Sequence, residues 1–129
     1  MILTMRTDKP EAEIGLFDGD RQFAYETWQA HRQLAETIHH KIQDLLKDQG
    51  KTWQDITGVV VYKGPGSFTG LRIGMSVANG LAFGLQIPVL ATSEKDWLST
   101  GVDHLLAGKG EPFVTPEYGA PVHVTTPRK

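Results

Sequence analysis

The hydrophobic pattern of this chain changes its period once, close to Arg32, and that change limits the possible folds more than any other feature. Ahead of it, Ala12, Ile14 and Leu16 alternate with Glu13, Gly15 and Phe17, and Phe23, Tyr25 and Thr27 alternate with Ala24, Glu26 and Trp28. A two-residue repeat is what strands with one buried face require. Residues 2–6 read as a further short buried strand, Pro10 separates it from the next, and Asp18-Gly19 supplies a hairpin turn. Beyond Arg32, Leu34, Ile38, Ile42 and Leu45 recur at helical spacing, and Gly50 suits the stop. A β-branched run over 58–62 follows, then a helix over 69–84. A nearly continuous apolar strand over 87–91 is expected inside the sheet. Ser93-Glu94-Lys95-Asp96 resembles a capping box that opens a short helix to about Ser99.

The order is therefore β-β-β-α-β-α-β-α. A meander that feeds parallel strands through right-handed crossovers leaves few arrangements. The one expected is an α/β fold of ribonuclease-H-like type with a mixed five-stranded sheet. The 129 residues suit one domain. It is expected over residues 1–100, followed over 101–129 by an irregular tail rich in glycine and proline, with one extended piece at 122–126.

Composition removes several function classes. The chain has no cysteine, so disulfides, zinc ribbons and thiol nucleophiles are excluded. The apolar stretch before Arg6 is too short for a signal-peptide core. The segment 71–85, interrupted by Arg72 and Asn79, falls short of the roughly 20 residues that a membrane span needs. A soluble, cytoplasmic protein is expected. Its 13 basic and 15 acidic residues give a net charge of −2, and the basic ones form no run beyond Arg128-Lys129. A surface that binds nucleic acid on its own usually shows a basic stripe, so any RNA is expected to be held mainly by another chain.

The most specific motif is Lys63-Gly64-Pro65-Gly66-Ser67-Phe68-Thr69-Gly70-Leu71-Arg72-Ile73-Gly74. It reads as a strand end, a tight turn and a helix start that Ser67 or Thr69 caps. Such a helix start also attracts anions. A Walker A loop is ruled out because Leu71-Arg72 follows Gly70 where Lys-Ser/Thr is needed. A dinucleotide fingerprint fails on spacing, Gly64, Gly66 and Gly70 being one residue too far apart overall. In the helix that follows, Gly70, Gly74, Ala78 and Ala82 form one small-residue ridge, and Ser76, Gly80 and Gly84 a second. Leu71, Ile73, Met75, Val77, Leu81, Phe83 and Leu85 make most of the remaining surface apolar. Interior glycines cost about 1 kcal/mol each relative to alanine, and close approach of another backbone is the usual compensation. Either the fold's own sheet and first helix cover this helix, or a partner does.

On these residues, 2–93 resemble the amino-terminal domain of the TsaB (YeaZ) family. The run from Gly64 matches that family's Gly-Pro-Gly-Ser-Phe-Thr-Gly-x-Arg-x-Gly signature without substitution, and Ile87-Pro88-Val89 followed by Thr92-Ser93 agrees as well. The resemblance implies the actin-like ATPase superfamily version of the fold and a part in making threonylcarbamoyladenosine in tRNA. It implies a direct partner, TsaD, the subunit that attaches threonylcarbamoyl to an adenosine beside the anticodon, with TsaE and tRNA reached through the complex. It further implies docking, or homodimerisation, through the two amino-terminal-domain helices. The expected interface is Leu34, Ile38, Ile42 and Leu45 on the first helix with Leu71, Gly74, Met75, Ala78 and Ala82 on the second.

Two departures from the family pattern matter. The family's first strand usually ends in Asp-Thr, where this chain has Arg6-Thr7. Arginine has no acceptor for a metal ion, and Asp8 is expected to point to the opposite face. The 36 residues after Ser93 are too few for the family's usual second domain, so either a shortened form, with Pro121-Val122-His123-Val124 as the remnant of that domain, or a trimmed chain is expected. A non-catalytic scaffold or activator is therefore expected, without cofactor or metal, ATP or ADP entering only in a complex. The alternatives are a small actin-like ATPase and a self-associating remnant without an enzyme partner. Among the other chemistry-bearing groups, the five histidines form no helical i, i+4 pair. Ser67 lacks a nucleophile elbow. Glu11, Glu13, Asp18 and Asp20 read as solvated edge charges, and Lys63 and Arg72 flank the loop as candidate RNA phosphate contacts.

Overall fold

The computed structural model describes residues 1–93 and 95–114. The expected extended piece at 122–126, the Pro121–Val124 remnant and Glu94 lie outside the described residues. Eight main elements follow in the expected order: β1 (Ile2–Arg6), β2 (Glu11–Asp18), β3 (Arg21–Gln29), α1 (Leu34–Asp48), β4 (Gly58–Tyr62), α2 (Phe68–Leu85), β5 (Val89–Thr92) and α3 (Trp97–Leu106). Their strands form one sheet in the order β3-β2-β1-β4-β5. The β1–β2 and β2–β3 pairs are antiparallel, and the β1–β4 and β4–β5 pairs are parallel.

The two-residue repeat read from the sequence divides the core between two faces. Leu3, Met5, Ala12, Ile14, Leu16, Val59 and Val61 point to one side, where Ile38 and Ile42 of α1 and Met75 and Ala78 of α2 cover them. Their neighbours Ile2, Phe17, Val60 and Tyr62 point to the other, against Trp97 and Val102 of α3. Each fully buried aliphatic side chain of this kind contributes about 1.5–3 kcal/mol through the area it removes from water. Register is thereby fixed, because a slip of one residue would put every apolar side chain of a strand on the wrong face.

Three expectations about the carboxy-terminal part need correction. β5 is an edge strand, not an internal one. It reads as apolar because α2 and α3 pack on its two faces, and Val89 and Glu111 exchange two backbone hydrogen bonds of 2.8 Å at its outer edge. The last helix begins at Trp97 with Asp96 at its cap and no side-chain capping bond, so the box expected at 93–96 does not open it. It then runs through Gly101 to Leu106, and a domain boundary at residue 100 cuts it in two. The described residues run on to Val114, whose N–H and C=O both bond the Asn79 side chain at 2.9 Å and whose own side chain is buried. A capping box does form elsewhere: Asp55 accepts from the Thr52 N–H at 2.8 Å, which holds the Asp55 carboxyl below its usual range. No helix among the described residues is long and apolar enough to cross a membrane.

Candidate docking face and the glycine loop beneath it

The glycine-rich motif is placed by β4 on one side and by the β1–β2 connection on the other. Lys63 donates its N–H to the Thr92 carbonyl at 2.8 Å, continuing the parallel ladder. Gly64–Pro65 is a cis peptide, and the Tyr62 hydroxyl donates to the Pro65 carbonyl at 2.8 Å. Ser67 occupies the cap position of α2, but its side chain makes no capping bond, contrary to the role expected of it or Thr69. Instead the Ser67 N–H donates to the Asp8 carbonyl at 3.2 Å, so the backbone of the β1–β2 connection holds the loop.

That connection also accounts for the first small-residue ridge. The Thr7 hydroxyl donates to the Gly70 carbonyl at 2.7 Å. A Cβ on Gly70 would collide with the Thr7 carbonyl oxygen, and one on Gly74 with the Thr7 hydroxyl. Glycine is needed there because α2 approaches the domain's own backbone. Gly80 and Gly84 differ: a Cβ on either meets no atom within 4 Å.

The end of β1 carries a paired charge. Arg6 donates from Nε to Asp8 Oδ1 at 2.7 Å and from Nη2 to Asp8 Oδ2 at 3.2 Å. Its guanidinium carbon lies 3.9 Å from the centre of the Tyr62 ring. Asp8, only 8% exposed, therefore does not face away from Arg6 as expected. The two residues are separated by one position, and residues so spaced share a side when the chain is extended. The hydrogen bond to Asp8 raises the Arg6 pKa, and both carboxylate oxygens are occupied by the cation. Among the described residues, no three His, Asp or Glu side chains gather as a metal site.

The nine expected interface residues are core residues in the structure. Leu34, Ile38, Ile42 and Leu45 on α1 and Leu71, Gly74, Met75, Ala78 and Ala82 on α2 are all buried. These positions point at the sheet and cannot meet another chain while the domain is folded. The outward surface of α2 is a different stripe: Ile73, Val77 and Leu81 are half-buried, while Arg72, Ser76, Gly80, Phe83 and Gly84 are exposed. Phe83 is 84% exposed. Between the helices lies an open groove of about 410 Å³, lined by Ala35 and His39 of α1 and Thr69, Arg72, Ile73, Ser76 and Val77 of α2. His39 and His40 are both at the surface, as expected, and the His39 ring lies 6.4 Å from that of Trp53. The i, i+4, i+8 spacing of Ile73, Val77 and Leu81 was the available signal for this stripe.

Of the remaining candidates, Phe68 is 51% exposed with the Arg72 guanidinium 5.3 Å from its ring centre. Lys63 is half-buried at the far side of the loop. Glu11, Asp18 and Asp20 are exposed, and Glu13 accepts from the Tyr25 hydroxyl at 3.0 Å.

Known proteins resemble this arrangement in sequence and in shape. Residues 28–116 match the family model described as TsaD, tRNA N6-adenosine threonylcarbamoyltransferase. The chain is 35% identical over 82 residues to the tRNA threonylcarbamoyladenosine biosynthesis protein TsaB of Escherichia coli, covering 59% of this chain and 36% of that protein. The structure of YeaZ from Pseudomonas aeruginosa superposes with a TM-score of 0.66 at 32% identity, over 72% of this chain and 43% of that one. RuvC of T. thermophilus, at 11% identity and a TM-score of 0.58 over 87% of this chain, shares the fold alone. The chain thus spans less than half the length of these TsaB and YeaZ relatives. With the Gly64–Gly74 signature, the five-stranded sheet and the α1–α2 layer in place, the chain belongs to the family that the TsaD model describes, on its TsaB (YeaZ) side.

Proposed function

We propose that the chain is a cytoplasmic, non-catalytic docking subunit in the synthesis of threonylcarbamoyladenosine in tRNA, and that it binds TsaD through the outward face of α1 and α2. The observation that carries this reading is the open groove along Ile73 and Val77, continued by Gly80 and Gly84, whose Cβ positions are empty. An apolar helix face flanked by glycines with nothing packed on them suits the close approach of another helix. The subunit acts by holding its partner in one of two states, and its effect is bounded by its differential affinity for them. TsaE and tRNA are reached through the assembled complex, and nucleotide enters only there. The reading as an independent ATPase is disfavoured by Arg6, which takes up both oxygens of the Asp8 carboxylate beside the loop.

Val77→Arg tests the face. Val77 is only half-buried, so the domain should fold, with a circular dichroism spectrum and melting midpoint close to those of the parent. Binding to TsaD of the same organism, measured by calorimetry, should fall below detection, and the variant should fail to support tRNA modification in vitro. Unchanged binding by Val77→Arg would remove the docking face. A parent chain that sediments as a dimer and ignores TsaD would favour self-association through the same helices.

A further inference from the structure

We infer that the segment of the partner that fills the α1–α2 groove is a helix with an apolar stripe and carboxylates at one end, the end lying over Lys9, Arg32 and Arg72; the inference rests on the docking reading above. Two adjoining cavities carry it. The groove of about 410 Å³ holds Arg72 and no carboxylate in its lining. It shares Thr69 and Ile73 with a second cavity of about 310 Å³, which Lys9 and Arg32 line, again without a carboxylate. One end of the groove is therefore ringed by three cations from three separate parts of the chain: the β1–β2 connection, the approach to α1 and the second turn of α2.

These cations are not used up by the domain. Arg6 has Asp8 and Lys41 has Glu26, whereas Lys9, Arg32 and Arg72 are exposed and form no ion pair with any described residue. Glu36, the acid on the first turn of α1, lines neither cavity. Covering this end with apolar surface would strip water from three charges without compensation, which is strongly unfavourable, while carboxylates in the same place turn the cost into specificity and faster association. Arg72 is suited to a carboxylate because its guanidinium is already laid over the Phe68 ring, which restricts the side chain before binding. The linear sequence scatters these cations over more than 60 positions, from Lys9 to Arg72, and only the fold brings them together.

A helix fits better than an extended peptide or RNA. The groove runs between two helices and is floored by Ile73 and Val77, with the small Ser76 at its side. That is a seat for an apolar helical stripe. RNA offers phosphates for the three cations but no counterpart for the apolar floor.

Charge reversal separates the possibilities. Arg72→Glu and the double variant Lys9→Glu/Arg32→Glu alter exposed side chains, so both should keep the parent melting curve. Each should weaken calorimetric binding to TsaD about tenfold, and the parent's loss of affinity between low and physiological salt should flatten in both. Reversing acidic residues of TsaD to arginine one at a time should reveal at least one that restores affinity to Arg72→Glu. Full affinity in both variants, with Val77→Arg still abolishing binding, overturns the acidic-helix inference and leaves the docking face standing. Binding that survives Val77→Arg defeats the docking face itself. If both charge variants keep their affinity for TsaD and lose binding to free tRNA in fluorescence anisotropy, the cations serve RNA and the inference fails.

Discussion

Helix α2 carries two pairs of glycines that look alike in sequence and differ completely in the structure. Gly70 and Gly74 lie against Thr7, so close that a methyl group would strike its carbonyl oxygen or its hydroxyl. Gly80 and Gly84, two and three turns further on, have no atom within 4 Å of where a methyl would sit. Each glycine costs the helix about 1 kcal/mol relative to alanine. The first pair is compensated inside the domain by the approach of the β1–β2 connection and the Thr7–Gly70 hydrogen bond. The second pair has no such compensation within the described residues, which is why the docking proposal rests on that side of α2. Small residues on a helix therefore identify close approach, and only their surroundings tell whether the approaching backbone belongs to the same molecule.

The largest effect that would break this contrast comes from the inward side. Ala78 lies one turn beyond Gly74 on the same ridge and is fully buried. Ala78→Arg forces a charge and a long side chain against the sheet, at a cost above about 4 kcal/mol. The variant should be recovered unfolded or aggregated, as circular dichroism and size-exclusion chromatography would show. A folded Ala78→Arg monomer would mean that the inward assignment of this ridge is wrong. Gly70→Ala ranks next. Its methyl meets main-chain oxygen, which cannot swing aside, and the loss should be about 3 kcal/mol in urea unfolding.

That the nine residues expected at an interface face inward was hidden in the sequence for the same physical reason. Element order, strand alternation and the loop motif were legible because each depends on local spacing: period two in β1–β3, period 3.6 in α1, glycine and proline at the end of β4. Which side of α2 faces inward was not, because leucine, isoleucine, valine and phenylalanine surround this helix on nearly every side. The hydrophobic pattern then has no polar face to set its rotation, and Leu71, Met75, Ala78 and Ala82 were as plausible outside as Ile73, Val77 and Leu81. What decides is Thr7, more than 60 residues earlier, whose backbone only a glycine ridge can accept. The same limit applies to β5, whose apolar run reads as central although it stands at the edge. It applies also to α3, expected to end near Ser99, which runs on to Leu106.

Asn79 offers a smaller test at the border between the two sides. It is half-buried beside Gly80, and its amide both donates to the Val114 carbonyl and accepts from the Val114 N–H, each at 2.9 Å. A side chain thereby imitates a strand neighbour and fastens the segment after α3 to α2. Asn79→Ala removes both bonds and leaves two partly buried backbone groups to find water, a loss of about 1–2 kcal/mol. Hydrogen exchange should quicken at Val114 and at the Val89–Glu111 bridge, while the glycine loop at the opposite end of α2 keeps its protection. Acceleration that spread to Gly70 would mean that the two ends of the helix open together and are not the separate regions their surroundings suggest.

The sharpest comparison uses the mildest substitution. Gly80→Ala adds one methyl group where the structure has open space, on a helix whose backbone is already formed. Helix propensity then acts almost alone, and the isolated domain should gain up to about 1 kcal/mol in urea unfolding. The same chemical change at Gly70 is destabilising, so the sign of the effect reports which side of α2 is occupied within the domain. Binding should respond in the opposite sense. If a partner helix packs across Gly80, the methyl holds the two backbones apart, and affinity for TsaD should fall about tenfold, which corresponds to about 1.4 kcal/mol. A variant more stable and less able to dock would assign the glycine to the interface. If stability rises and affinity is untouched, Gly80 lies outside the contact, and the docking face contracts to the groove around Ile73 and Val77.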